Sequence, residues 1–326
     1  MIRRTGARND ITDVPGILVG QAEDKLARTG VTVIMPEAPA VIAGDVRGGG
    51  PGTRETDLLD PSTLVDHADT VVLSGGSSYG LGAADGVTAF LGARGRGFQL
   101  MKIDGVPPSP IVPAAILYDL ANGGDKNWGE APPYARLGKE AAARAAKGVA
   151  QGRKGAGFGA RAGADAGGVG SVSFAADDGI VIGALMAVNS FGSARMPGTK
   201  IFWAAPFEID DEFGGAWVDK KPEAIDLPPD TKIAAARANT TIGVVAVNAA
   251  LTQAEARRIA IMAQDGLARA IRPAHGPTDG DVIFVLATGG KPSGGPLSLT
   301  RIGSIAADCV ARAIARAVYE AEKQGV

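Results

Sequence analysis

A layered α/β fold is predicted by three observations: short β-branched apolar runs, Ala-rich helical stretches interspersed with them, and glycine clusters at their junctions. The first run is GVTVIM at 30–35. The glycine cluster DVRGGGPGTRETD (45–57) follows as a loop, and TVVLS (70–74) predicts a second strand. The cluster LSGGSSYGLGAADG (73–86) predicts a tight turn into a helix over 81–91, and a further Ala-rich helix is expected over 134–149. Residues 154–173 hold a third glycine cluster, read as loop, before the strand GIVIGALMAVN (179–189). Segment 205–232 is polar and proline-bearing with no periodicity, so a long surface connector is expected there. Strand TIGVVAVN (241–248) comes next. Thr252 and Glu255 then have the spacing of a capping box and open a helix through about Ile271. Strand DVIFVLAT (281–288), the glycine cluster LATGGKPSGG (286–295) and a helix over 302–320 complete the chain. No repeat divides these elements, so 1–326 reads as one domain.

Bulk properties exclude several functions. With 33 basic and 35 acidic residues the formal net charge is −2, which offers no field for nucleic acid or an acidic membrane surface. No stretch approaches the ~20 apolar residues needed to span a bilayer, and no apolar core of a signal peptide follows MIRRTGARND. A soluble, cytoplasmic protein is expected, with no membrane partner. The single cysteine, Cys309, sits in a helical apolar pattern and reads as a core thiol. Two histidines, His67 and His275, without metal-ligand spacing, predict no metal site and no cofactor. GAGFGA (155–160) fits G-x-G-x-x-A only formally, because a helix rather than a strand precedes it. It reads as a turn.

Two hydroxyl nucleophiles compete. Gly76-Ser77-Ser78-Tyr79-Gly80 matches G-x-S-x-G between a strand and a helix, as a nucleophile elbow requires. Ser78 could then pair with His275 and with Asp177 or Asp178; the plainer reading is a strand-to-helix turn whose serine caps the helix. The second nucleophile is Thr240, in RANTTIGVVAVN (237–248), where polar residues step directly into a buried strand. A threonine that becomes an N-terminus can use its own α-amine as base, with a pKa near ~7.7–8. That chemistry needs neither histidine nor cysteine, but it requires the chain to cut itself at Asn239–Thr240. The plainer reading there is a turn at Asn239 and a strand starting at Thr240.

Six ordered segments weigh between these readings: NDITDVPGILVGQ (9–21) with TGVTVI (29–34), RGGGPGTRETDLL (47–59), SGGSSYGLGAADGV (74–87), NTTIGVVAVNAALT (239–252) and MAQDGLARAIRPAHGPTDGDVIFVLAT (262–288). Together they resemble the self-processing N-terminal-nucleophile family of L-aminopeptidase/D-esterases, β-peptidyl aminopeptidases and nylon-oligomer hydrolases. The resemblance implies a four-layer αββα sandwich, with cleavage into a large subunit, 1–239, and a small one, 240–326. It implies Thr240 as nucleophile, Asp279 and Asp281 as the carboxylates beside it, and Tyr118 and Asn189 as oxyanion donors. Gly76, Ser77 and Ser78 would line the substrate pocket. The implied substrates are short peptides with a free amino terminus, β-peptides, D-amino acid amides or esters, or 6-aminohexanoate oligomers. A homo-oligomer, a tetramer of processed heterodimers, is also implied. One departure stands out: the family's lysine in the glycine-rich loop is replaced, a gapless match offering Ala164 or Ala166, with Arg161 and Lys154 nearby. A relative that has lost catalysis and acts as a binding protein is the reading this departure leaves open.

Overall fold

Strand formation follows the apolar runs because most of them are covered on both faces and need not alternate with polar residues. The computed structural model describes residues 4–218, 231–232 and 239–325. Along the chain the strands are β1 (Ile17–Asp24), β2 (Thr29–Pro36), β3 (Ala40–Val46), β4 (Thr53–Arg54), β5 (His67–Ala68), β6 (Val71–Ser74), β7 (Ala114–Ile116), β8 (Arg161–Ala162), β9 (Asp165–Ala166), β10 (Gly168–Ala175), β11 (Val181–Asn189), β12 (Thr240–Ala250) and β13 (Val282–Pro292). The α-helices are α1 (Ala83–Gly92), α2 (Tyr134–Ala143), α3 (Gln253–Ala263), α4 (Asp265–Ala270) and α5 (Gly295–Lys323).

Two sheets carry the fold, in the orders β1-β2-β6-β7-β4 and β10-β11-β12-β13-β3-β5. Alternation along each strand builds three apolar layers. From β12, Ile242, Val244 and Ala246 point between the sheets, where they meet Ile34 of β2 and Leu73 of β6. Val245 and Val247 point the other way, onto α3 and α5 through Ile259 and Ile314. Val31, Val33 and Val72 of the first sheet face α1 and α2 through Val87 and Leu137. The order helix, sheet, sheet, helix is the expected αββα sandwich. β12 lies inside its sheet, antiparallel to β11 and parallel to β13. Both ends of the chain therefore contribute to one sheet.

The structure corrects several boundaries. The cluster at 154–173 is not all loop, because Gly168–Ala175 forms β10. Its glycines serve helix packing rather than turning: a Cβ on Gly170 would come within 2.0 Å of the Ala313 carbonyl oxygen on α5. The helix expected to Val149 stops at Ala143, since Ala146 leaves it to exchange two hydrogen bonds with Val19 of β1. The helix opened by the Thr252–Glu255 capping box, which forms as expected, divides at Gln264 into α3 and α4. Strands β1, β3 and β7 were not marked by the apolar runs. Of the expected connector 205–232, residues 219–230 lie outside the described residues. No helix among the described residues is long and apolar enough to cross a membrane.

Candidate active site

The N-terminal end of β12 gathers an unusual amount of polarity into the space between the sheets. Asn189, Asn239, Thr240, Asp279 and Asp281 are 3%, 2%, 4%, 2% and 3% exposed. Polar groups so withdrawn from water need hydrogen-bond partners, from side chains or from the main chain. Register sets their meeting. Asn189, the last residue of β11, lies directly opposite Thr240, the first of β12. A parallel bridge pairs Asn239 with Asp279, three residues ahead of the first pair of the β12–β13 ladder and in the same register.

The Thr240 hydroxyl donates to the carbonyl oxygen of Asn239, the residue before it. The same carbonyl accepts the Gly280 N–H at 3.2 Å. Gly280 is required here by close approach: a Cβ at this position would lie 2.8 Å from Thr240 Oγ1 and 2.8 Å from the Gly50 carbonyl oxygen. The glycine-rich loop after β3 packs on the same turn, with Arg47 N–H on the Asp281 carbonyl at 3.0 Å and Gly50 N–H on that of Asp279 at 2.8 Å.

The two aspartates differ in their work. Asp281 Oδ1 accepts the Thr241 N–H at 2.8 Å, and its Oδ2 meets His275 Nδ1 at 2.8 Å. Asp279 accepts the Gly276 N–H at 2.8 Å and the Phe191 N–H at 3.4 Å. Burial, reinforced by the charge of Asp281, pushes the Asp279 carboxyl up to about 6. Asn189 is held from three sides. Its Nδ2 donates to the Tyr118 carbonyl at 2.9 Å, and its Oδ1 accepts the Arg161 N–H at 3.0 Å. The Lys232 amine supplies the third contact, 3.0 Å from Oδ1 and 3.1 Å from the Asn189 carbonyl oxygen.

A family model of peptidase family S58 matches residues 9–325. The chain belongs to peptidase family S58. It is a hydrolase. An uncharacterized aminopeptidase of Mycobacterium tuberculosis (strain ATCC 25618 / H37Rv) is 44% identical over 345 residues, covering 96% of this chain and 94% of that relative. A 6-aminohexanoate-oligomer endohydrolase of Kocuria sp. (strain KY2) is 30% identical over 304 residues, covering 88% and 77%. Among solved structures, the L-aminopeptidase D-Ala-esterase/amidase of Ochrobactrum anthropi superposes with a TM-score of 0.70 at 20% identity, covering 98% of this chain and 88% of that one. That structure is described as a variant of the Ntn hydrolase fold, and this S58 chain shares its architecture.

Within this S58 chain, Thr240, Asn239, Asn189, Asp279 and Asp281 all meet at one place. Tyr118 joins them through its main-chain carbonyl rather than by a contact of its phenol. Gly76, Ser77 and Ser78 belong to the turn after β6, one layer away. That turn is tied to the segment carrying Tyr118, since Ser77 N–H donates to the Leu117 carbonyl at 3.0 Å and Gly76 N–H to Asp119 Oδ1 at 2.7 Å. The serine triad is not assembled: His275 is engaged with Asp281, Asp178 is bound to Arg301, and Ser78 is exposed. The expected helix cap by serine is also absent, because the turn Ser77–Gly82 starts from Gly76 with no side-chain cap bond. GAGFGA forms a 3-10 turn, Gly155–Gly157, as read. Cys309 is buried, and burial pushes its thiol up to about 12. Of the two cations near the missing lysine, Arg161 reaches Asn189 only through its main-chain N–H, and its guanidinium turns to the Ala164 carbonyl. Lys232 was not foreseen. It ends the polar, proline-bearing stretch 205–232, and no local spacing marks it.

Proposed function

We propose that Thr240 is the nucleophile of a self-processing amidohydrolase, cut at Asn239–Thr240 into subunits 1–239 and 240–326 of one folded unit. The arrangement of the Thr240 hydroxyl against the Asn239 carbonyl carries this reading. The Gly280 N–H already sits on that carbonyl oxygen, where negative charge develops when Oγ attacks the carbon. Cleavage leaves Thr240 with a free α-amine held at the end of a buried strand. In turnover that amine accepts the hydroxyl proton, Oγ attacks a substrate amide, and the amine returns the proton to the departing nitrogen. Water then releases the acyl group from the ester.

Asp281 anchors the strand through Thr241 N–H and, with Asp279, favours the ammonium form that appears during each cycle. Asn189, opposite Thr240, is suited to donate to the oxyanion. Tyr118 is proposed for the same region, with Gly76, Ser77 and Ser78 on the substrate side. Membership of S58, with relatives named as an aminopeptidase and an oligomer endohydrolase, supports small amide substrates: short peptides, β-peptides, D-amino acid amides or esters, or 6-aminohexanoate oligomers. The cut would not separate the halves, because β12 pairs with β11 and β13 pairs with β3. A cytoplasmic homo-oligomer of processed heterodimers completes the reading, and native mass measurement checks the assembly.

The decisive experiment is intact-mass analysis on a denaturing gel. Two fragments with Thr240 at the new N-terminus are expected. A chain that stays whole after long incubation, yet hydrolyses amides, would sink the reading.

A further inference from the structure

With the Asn239–Thr240 bond intact, the nitrogen of Thr240 is an amide whose lone pair is shared with the carbonyl. It cannot take the hydroxyl proton. The base proposed for turnover is thus a product of the first cut and cannot assist that cut. Given the Thr240 reading above, on which this inference rests, another group must accept the proton in the precursor.

The side chains around the junction narrow the choice. Asp281 has both oxygens engaged, by Thr241 N–H and by His275. Asp279 is engaged by the N–H groups of Gly276 and Phe191. Lys232 remains. Its main chain is anchored because its own N–H donates to the Phe191 carbonyl at 3.1 Å. Its amine rests on Asn189, whose side chain lies on the same face of the sheet as that of Thr240. The strand register shows this: Leu185 and Ala187 of β11, and Ile242 and Val244 of β12, all enter the core between the sheets, and Asn189 and Thr240 continue those two series as direct partners. Directly opposed residues hold their Cβ atoms ~5 Å apart. A lysine amine on Asn189 Oδ1 is therefore one side chain from the Thr240 hydroxyl, within the sweep of its flexible stem.

We propose that Lys232 is the proton acceptor for self-cleavage, supplied by the segment that precedes the bond to be cut. The proton passes from Thr240 Oγ to the neutral Lys232 amine as the Oγ–C bond to Asn239 forms. It passes on to the Thr240 nitrogen as the C–N bond breaks, leaving an ester on Oγ and a free α-amine. Water hydrolyses that ester to the Asn239 carboxylate and the Thr240 hydroxyl. From then on the α-amine serves.

The surroundings suit this role. Burial first, and the neighbouring Arg161 second, bring the Lys232 amine down to about 7, against the opposing pull of Asp279. Near neutral pH roughly half of it is unprotonated, where an ordinary lysine, with a pKa of ~10.4, is almost wholly charged. Among the described residues, Arg161 from β8 and Asp279 from the turn before β13 are the charged groups acting on it, and Asp281 stands behind Asp279.

The test follows disappearance of the 326-residue chain by gel and mass after precursor purified at pH 5.5 is shifted to values between 5.5 and 9, for wild type, K232M, K232R, K232A, D279N and T240A. Wild-type cleavage is expected to speed up with pH and level off above about 7. K232M should be at least ~10-fold slower without that inflection, and K232R, which keeps a cation but has no neutral form, should be slow as well. Added ethylamine should partly restore cutting in K232A, and D279N should keep an inflection, moved to lower pH because Asp279 no longer holds the amine up. Circular dichroism melts check folding. If K232M does not fold, K232R and the amine rescue decide. Wild-type rate and pH profile in K232M or K232R would overturn the proposal, as would an inflection lost only in D279N. An uncut wild type, or a T240A chain cut normally, would instead remove the Thr240 reading, and Lys232 with it.

Discussion

The two junctions that offered a candidate nucleophile each place a hydroxyl near glycine at the end of a buried strand, and only one of them buries that hydroxyl among polar side chains. At the start of β12, Thr240 is buried with its hydroxyl on the Asn239 carbonyl, two carboxylates and Asn189 around it, and Gly280 leaving room for it. At the end of β6, Ser78 is exposed, and the polar groups of the turn hold the backbone instead. Gly76 has φ +88° and gives its N–H to buried Asp119, and Ser77 follows with φ +52°. Burial pushes the Asp119 carboxyl up to about 6. A raised carboxyl alone therefore does not distinguish the two junctions, since Asp279 and Asp119 share it. What separates the two places is that the Thr240 hydroxyl rests on the carbonyl of the bond before it, whereas Ser78 is exposed.

The largest expected effect is at the first junction. T240A should leave the chain uncut and lower amide hydrolysis by roughly 10³-fold or more, because nucleophile and base are lost together. A gel and a p-nitroanilide assay read both. Substantial hydrolysis by the uncut T240A chain would reverse the comparison in favour of Ser78.

Gly76→Ala should reveal the other junction as structural. A Cβ there would lie 2.0 Å from Tyr134 Cζ, in a backbone conformation that disfavours a side chain. The expected loss is on the order of 3 kcal/mol, from overpacking plus left-handed strain. Thermal melts should fall by several degrees while the folded fraction still cuts itself. Lost cutting with an unchanged melt would mean that the turn takes part in the chemistry.

The fold was legible where apolar runs are continuous, as in β2, β11, β12 and β13, because both faces of these strands are covered. It was illegible where glycine in β10 mimics a loop but in fact admits α5. It was also illegible past Ala143, where a helical composition yields to pairing with β1. Of the site, spacing offered the polar step into β12 and the TDGD turn; their meeting with Asn189 was expected only through family resemblance. Lys232 was invisible to both, since it arrives through a segment without periodicity and is defined only by where its amine ends. Tyr118 enters through a main-chain carbonyl, which no side-chain motif encodes.

A smaller effect separates the two raised carboxyls. Asp279 has an ordinary value of 3.8 and sits at about 6 in the folded chain. A group raised by folding contributes stability below its unfolded value and loses that contribution as pH climbs through its folded value. The margin of wild type over D279N should therefore be greatest near pH 4 and shrink by on the order of 1–2 kcal/mol by pH 7. Urea unfolding at the two pH values measures it. Asp119 is present in both proteins and cancels. A margin that grows with pH would mean that folding lowers the Asp279 carboxyl instead of raising it.

The smallest effect is the most discriminating. Ser78→Ala removes an exposed hydroxyl in a turn whose hydrogen bonds run through the main chain of Gly75, Gly76 and Ser77 to Gly30, Asp119 and Leu117. Stability should change by no more than ~0.5 kcal/mol, as for other surface positions. Self-cleavage should keep its rate, because β12 and its partners are untouched. Any change should fall on KM, about twofold, if the serine brushes substrate at the mouth of the site. A G-x-S-x-G pattern then reports a tight strand-to-helix turn, and its chemical meaning depends on a histidine that here is engaged with Asp281, on the side of Thr240.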